Sequence, residues 1–408
     1  MKRVVVTGIG GITSLGDSWD SIHGSLREGR SGVQRMVEWD RYSEMNTRLA
    51  APIADIKLPA HYTRKVLRTM GRVAQMATLA TERALDDADL RDADVIRDGS
   101  TGIAYGSCTG STDAAKDFVG LLVTGEMGGI NATTYIRMMS HTAAVNIGVH
   151  FGVKGRVIPT SSACTSGSQG IGYAYESIKF GRQKLMIAGG AEELCVSEAA
   201  VFDTLYATSR KNDAPQTTPA PFDRDRDGLV LGEGACTFIL EERDHALARG
   251  ARIYAEIVGF GSNSDGDHVT HPNTQTMEIA MRLALEESGL PPEAIGYVNA
   301  HGTATEQGDI AESQATSRVF GKRAAVSSLK GHLGHLLGAC GAVESWLTIE
   351  MMRHDWFAPT RNLVNADARC GDLNYVVSEG RSLQTQYAMN NNFAFGGINT
   401  SLIFRRTL

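Results

Sequence analysis

The sequence predicts an α/β protein built as two similar halves, and three observations carry that expectation. β-Branched runs alternate with helical patterns, several runs are apolar enough to be buried on both faces, and the halves echo each other. KRVVVTGIG from Lys2 resembles RIYAEIVGFG from Arg252. VIPTSSACTSGSQGIGYAYESI resembles AAVSSLKGHLGHLLGACGAVESWLTIE as a strand, a Ser-Ser pair and a small-residue helix. The chain divides near Glu241 to Arg252, giving an N-terminal half over 1–251 and a C-terminal half over 252–408.

In chain order, RVVVTG is a strand, and the glycines after it predict a tight turn. A dinucleotide-binding loop is disfavoured, because Thr13 stands where a third glycine is required. RVAQMATLATERALDDA has helical periodicity, and TGIAYG and RVIPTS are strands. From Thr165, Ile171, Ala174 and Ile178 recur at helical spacing until Gly181 stops the helix. KLMIAGG and ACTFILE are strands, separated by a loop, Thr208 to Asp227, expected to be exposed. RIYAEIVGFG is a strand, DGDHVTH a polar turn and TMEIAMRLALEESG a helix, followed by the strands IGYVNAHG, AAVSSL and TSLIF.

At 408 residues and 42% apolar content the chain can bury a large core. Its net charge of −6, with the signs interspersed, gives no nucleic-acid groove and no membrane-binding face, and favours small or acidic protein partners. The six cysteines are dispersed, form no CxxC pair and indicate neither a disulfide framework nor structural zinc. The apolar run at the N-terminus is too short for a signal peptide, and a cytoplasmic location is expected.

TSSACTSGSQG surrounds Cys164 with small residues at a strand-to-helix elbow. Unpaired N–H groups and the helix dipole there favour the thiolate, and small neighbours admit a substrate carbonyl. A small core hydrophobe is an equal reading of that cysteine alone. Two histidines tip the balance. His301 ends a strand in NAHGTATEQGD, and His335 lies between a strand and a helix in SSLKGHLGHLLGACGAVE, where it is expected to stay neutral. His332 and His335 lack further partners at zinc-ligand spacing.

SACTSG, PFDRDRDGLVLGEGA, NAHGTATEQGD, SSLKGHLGHLLGACGAVE and NNFAFGGIN, in this order, resemble the motifs of β-ketoacyl-acyl carrier protein synthases of the elongating type, across nearly the whole chain. The resemblance implies a thiolase-like fold of five layers, α-β-α-β-α, a homodimer, and no covalently bound cofactor. It implies that Cys164 takes an acyl group from the phosphopantetheine of acyl carrier protein. The backbone N–H groups of Cys164 and Phe395 would form an oxyanion hole, with His301 and His335 holding the malonyl thioester oxygen. Lys330 and Glu312 match a charged pair behind the histidines, with Asp309 nearby. Thr303, Thr305 and Thr270 match the pantetheine channel and its mouth, and Gly396 and Gly397 the gating loop. Asn299, Glu344 and Asn391 match positions that hold a sodium or potassium ion in some relatives.

Arg64, Lys65, Arg68 and Arg72 recur at helical spacing, the first three matching the family's carrier-docking helix, with Arg210 and Lys211 assisting; an ordinary solvated face is the competing reading. Several positions depart from the common pattern: Leu229, Leu333, Ala394, Ile398, Glu306 and Gln307, with Thr109 where acyl depth is gated. FAFGGINTS and SSACTSGSQ look most like ketosynthases of aryl-polyene pathways. A thiolase-type acyltransferase, using Cys340 as a second cysteine, and a non-catalytic chain-length-factor partner are the alternatives. A heterodimer remains open beside the homodimer.

Overall fold

The computed structural model describes residues 1–407. In the N-terminal half, β1 (Val4–Thr13), β2 (Thr101–Gly106), β3 (Val157–Thr160), β4 (Leu185–Glu192) and β5 (Gly234–Glu242) lie in the order β3-β2-β4-β5-β1. The C-terminal half repeats it. There β6 (Ala255–Ser264), β7 (Ile295–Asn299), β8 (Ala325–Ser327), β10 (Tyr387–Ala394) and β11 (Ile398–Arg406) run β8-β7-β10-β11-β6, and β9 (Asn374–Tyr375) extends the edge beyond β8. Numbered within each half, both orders read 3-2-4-5-1, with the last strand antiparallel to its two neighbours and the remaining pairs parallel. The halves join where β1 pairs antiparallel with β6, Val5 opposite Glu256.

Helices cover both faces. α1 (Arg72–Asp87) packs on β1 and β5, and α3 (Thr274–Ser288) packs on β6 and β11. α2 (Ser166–Lys179) and α5 (Cys340–Arg353) pack against each other between the halves, while α4 (Glu306–Phe320) lies beside α3. The result is the five-layered α-β-α-β-α arrangement. Small residues permit the central contact: a Cβ on Gly341 would lie 2.4 Å from the Ser168 backbone nitrogen. α5 is buried from Cys340 to Met352, as a helix enclosed by two sheets must be.

The initial glycines do not make the expected turn. β1 runs straight through them to Thr13, and their missing side chains let α1 approach the strand backbone to backbone. A Cβ on Gly10 would lie 2.2 Å from Ala80 O, and on its counterpart Gly261 2.1 Å from Ala280 O. β10 was absent from the expectation, because its Asn390-Asn391-Asn392 run has poor strand propensity. The Thr208 to Asp227 loop is also less exposed than expected, since Thr218 to Asp223 are buried. Among the described residues, no helix is long and apolar enough to cross a membrane.

Candidate active site

The elbow after β3 is tied by its small polar residues. Ser162 N–H donates to Ser166 Oγ (2.9 Å), Thr165 Oγ1 donates to Ser162 O (2.7 Å), and Ser166 Oγ donates to Ala163 O (2.7 Å). Ala163 adopts φ +50°, a left-handed conformation uncommon outside glycine, which turns the chain sharply into Cys164. Cys164 stands two residues before α2, at the elbow itself rather than on the helix's first turn.

The three expected side chains converge. Cys164 Sγ, one ring nitrogen of His301 and one of His335 lie within 4.8 Å of one another, all buried. His335 Nε2 is 3.1 Å from Cys164 Sγ, and the two imidazoles meet edge to face, centroids 5.2 Å apart. On the far side of His335, Leu337 N–H donates to Nδ1 at 3.2 Å, with Cys340 Sγ 3.0 Å from the same atom. On the far side of His301, Lys330 Nζ stands 3.2 Å from Nδ1. An ammonium only donates and a backbone N–H only donates, so both Nδ1 atoms accept. Each ring therefore carries its proton on Nε2, directed toward the sulfur's side of the site.

Burial pushes both imidazoles well below the usual histidine pKa, and the Lys330 charge reinforces this, so both are neutral donors. Cys164 corrects the sequence reading. Its thiol is pushed up to about 12 by burial, against which the Lys330 charge and the N–H groups of Phe395 and Cys164 act to lower it. The resting residue is a thiol, since an elbow outside the helix, 3% exposed, loses more to desolvation than the helix end returns.

Lys330 pairs with Glu344, not Glu312: Nζ is 2.5 Å from Glu344 Oε1, and both side chains are 1% exposed. Asn392 Nδ2 donates to Glu344 Oε2 at 2.7 Å. Glu312 has another task. It accepts the backbone N–H groups of His301 and Gly302 at 2.6 Å each and so fixes His301. Asp309 accepts from Thr303 and Ala304 N–H through Oδ1 and from Phe222 N–H through Oδ2. Burial raises Glu312 to about 8 and Asp309 to about 6.

A cavity of about 450 Å³ leads from solvent to Cys164, His301 and His335. Thr303, Thr305, Thr270, Leu229, Ala394, Phe395, Gly397, Glu306 and Gln307 all line it. The Thr303 and Thr305 hydroxyls are 2.9 Å apart. Gly396, at φ +86°, donates its N–H to Val269 O without lining the cavity, and Ile398 and Leu333 do not line it either. Thr109 is exposed and outside it, its hydroxyl donating to Glu198.

The profile of the β-ketoacyl synthase N-terminal domain matches residues 1–246, and that of the C-terminal domain matches residues 254–364. The chain belongs to the β-ketoacyl synthase family. It is an enzyme of the condensing acyltransferase kind. Over its whole length it is 38% identical to 3-oxoacyl-[acyl-carrier-protein] synthase 1 of Haemophilus influenzae, covering 99% of that protein. It is 36% identical to 3-oxoacyl-[acyl-carrier-protein] synthase 2 of Synechocystis, covering 99% of this chain and 98% of the relative. A crystal structure of a β-ketoacyl synthase from Burkholderia phymatum superposes with a TM-score of 0.99 at 56% identity, covering each chain fully.

On the surface of this synthase, Arg64, Lys65 and Arg68 are exposed, and Arg210 is too. Arg72 is not available with them. The helix begun at Arg64 ends at Leu67, α1 starts afresh after Gly71, and Arg72 binds Glu233 and Ile53 O. Lys211 leans on Asp227 at 3.6 Å. At the monovalent-cation positions both Glu344 oxygens accept from Lys330 and Asn392, Asn299 Nδ2 donates to Asn390 and Asn391 Oδ1 accepts from Ser401, which leaves Asn299 Oδ1, 3.5 Å from the Tyr297 hydroxyl, as the weakly engaged oxygen. His332 faces away from His335, its ring nitrogens 2.9 Å from Arg30 O and 3.2 Å from Pro359 O.

Sequence reasoning missed four contributors. Arg226, in PFDRDRDG, is 2% exposed and joins Asp367 and Asp309 to the Thr305 and Glu306 carbonyls, thereby shaping the channel wall. Its signal was an arginine flanked by aspartates. Phe202 lines the cavity and meets the Phe395 ring at 5.1 Å, and nothing in its local sequence marks it. Asp265 and His271, in the segment read as a polar turn, line the cavity as well.

Proposed function

We propose that this synthase performs a decarboxylative Claisen condensation between an acyl chain held on Cys164 and a malonyl unit, both delivered on the phosphopantetheine of an acyl carrier protein. The observation that carries the proposal is the convergence of one thiol and two neutral Nε2–H imidazoles at the end of one channel. In the first half-reaction the Cys164 sulfur attacks the acyl thioester, whose carbonyl oxygen takes the N–H groups of Cys164 and Phe395. Pantetheine leaves as its thiol with the cysteine's proton, so charge is conserved. In the second, His301 and His335 donate to the malonyl thioester oxygen. The bond from C2 to the carboxylate breaks, carbon dioxide leaves, and the enolate oxygen is stabilised by two preorganised donors. C2 then bonds to the acyl carbon, and the Cys164 thiolate departs and takes a proton from water.

Two neutral donors suit this chemistry better than an imidazolium, which would protonate the enolate it stabilises. A thiolase-type exchange is disfavoured, because Cys340 sits behind His335 and does not line the cavity. The exposed Arg64, Lys65 and Arg68 suit an acidic carrier. A related structure, 30% identical with a TM-score of 0.88, is described as a type II acyl-carrier protein in complex with its ketosynthase.

For assembly we favour a homodimer formed across β3. That strand is the free edge of its half-sheet, Val157 on it is exposed, and Val119, Leu122 and Val123 are exposed on the helix Thr112–Thr124. For substrate we favour a conjugated, aryl-primed chain, on the resemblance of FAFGGINTS and SSACTSGSQ to ketosynthases of aryl-polyene pathways; Leu229, Ala394, Glu306 and Gln307 in the channel wall depart from the pattern of the common elongating enzymes. The ishigamide ketosynthase/chain length factor, 30% identical over the full chain with a TM-score of 0.90, pairs a ketosynthase with a chain length factor, which keeps a heterodimer as the alternative assembly.

Intact-mass analysis with saturated, polyunsaturated and aryl-primed carriers tests the reading. Cys164→Ala loses loading, while His301→Ala and His335→Ala still load but release carbon dioxide at least ~100-fold more slowly. Normal loading of Cys164→Ala would refute the assignment.

A further inference from the structure

A second convergence of ligand-type side chains lies outside the active site. His61 in the loop before the helix Arg64–Leu67, Glu82 on α1 and His150 near the end of the helix Thr142–Phe151 place one ligand atom each within 4.8 Å of the others. His61 Nε2 is 2.8 Å from Glu82 Oε2, and His150 Nε2 is 3.9 Å from the same oxygen. Zinc bonds of roughly 2.0–2.2 Å hold tetrahedral ligand atoms roughly 3.3–3.6 Å apart, so these separations bracket what a metal needs. The remaining Glu82 oxygen is held by Arg91 NH2 at 3.0 Å, which fixes the carboxylate, and Asp86 also binds Arg91.

Tyr62 supplies an independent sign of a missing ligand. Its ring stacks on His150, centroids 5.1 Å apart, and tilts against His61 at 4.9 Å, holding both imidazoles in place. Only 5% of the residue is exposed, yet its hydroxyl, which interacts with the neighbouring Glu82 carboxylate, makes no hydrogen bond of normal length and angle. A buried hydroxyl without a partner costs ~1–3 kcal/mol. A water in the fourth position of a metal would satisfy it. His61 is exposed and leaves an entry path.

We propose that His61 Nε2, His150 Nε2 and Glu82 Oε2 form a zinc site whose fourth position holds a water hydrogen-bonded to Tyr62. Two imidazoles and one carboxylate, with no sulfur, select zinc over magnesium or calcium, which prefer all-oxygen cages. The metal fastens the loop leading into the basic helix Arg64–Leu67 to α1. The site is independent of the condensation reading.

The test uses the metal-depleted full-length chain in a Cys164→Ala background, because Cys164, His301 and His335 also lie within 4.8 Å of one another and can take a metal. Titration with cobalt(II) alone gives one equivalent with the intense visible bands of four-coordinate cobalt and no thiolate charge-transfer band, and zinc displaces it. His61→Ala and His150→Ala each weaken binding by at least ~10-fold, and Glu82→Gln, which preserves shape, does the same. Tyr62→Phe keeps the metal and alters the cobalt spectrum. Failure to bind one equivalent, an octahedral cobalt spectrum, or unchanged affinity in His61→Ala and Glu82→Gln would overturn the site.

Discussion

Cys164 is pulled two ways: burial favours the neutral thiol, while Lys330 and two backbone N–H groups favour the thiolate, and burial prevails until substrate arrives. Alkylation of Cys164 by iodoacetamide is therefore expected to rise ~10-fold per pH unit past pH 9 without the neutral-pH plateau of a thiolate-stabilised cysteine. A plateau near neutrality would mean that the helix end dominates. The Lys330–Glu344 pair makes a second prediction at this scale. Glu344→Gln strands a buried ammonium and costs ~3–5 kcal/mol in chemical denaturation, whereas adding Lys330→Met recovers much of the loss. Glu312→Gln, which keeps one acceptor for the His301 and Gly302 amides, costs less; equal costs would restore Glu312 as the lysine's partner. From the sequence alone that partner could not be chosen, because Glu312 and Glu344 lie on different helices and only tertiary packing decides which meets Lys330.

Strand glycines carry the fold at the scale of elements. Gly10 and Gly261 occupy matching places on β1 and β6, each facing a helix carbonyl closer than any Cβ tolerates. Gly10→Ala and Gly261→Ala should each destabilise by ~1–3 kcal/mol, since the obstacle is backbone and cannot repack. Gly24→Ala is the control: it lies in the helix Trp19–Arg27 with open space around its Cβ, and it should stabilise by up to ~1 kcal/mol. Thermal melts compare the three, and a stable Gly10→Ala would refute the close packing of α1 on β1. The repeat that these glycines serve was legible in KRVVVTGIG and RIYAEIVGFG, as were α1, α2 and α3 from their periodicity. β10 was not, because its asparagines are matched by partners that lie far away in the chain: Asn392 by Glu344, Asn390 by Asn299. The small residues around Cys164 announced an elbow, but its burial, which reverses the expected ionisation, depends on walls from both halves.

For the whole molecule, three buried imidazoles each contribute stability that is lost in acid. His301, His332 and His335 all have pKa values lowered by burial, His332 to about 4. Above the unfolded value near 6.5 both states leave them neutral and their contribution is fully present. Below it these histidines bind protons in the unfolded chain but not in the folded one, so their contribution is lost as pH drops from about 6.5 toward 4. Buried Glu312 and Asp309, raised to about 8 and about 6, act in the opposite sense, so the test is differential: His332→Asn should lose less melting temperature than the parent chain between about pH 6.5 and 4, and parallel profiles would contradict neutral burial of His332. Assembly is read at the same scale: light scattering on the purified chain is expected to give the dimer mass, and a charged residue at Val157 to give the monomer. The convergence of both halves on one thiol and two neutral donors is tested most directly by nitrogen-15 chemical shifts of the His301 and His335 rings at pH 7, each assigned by substitution. Both rings are predicted to be uncharged with the proton on Nε2. An imidazolium, or a proton on Nδ1 of either ring, would contradict the account.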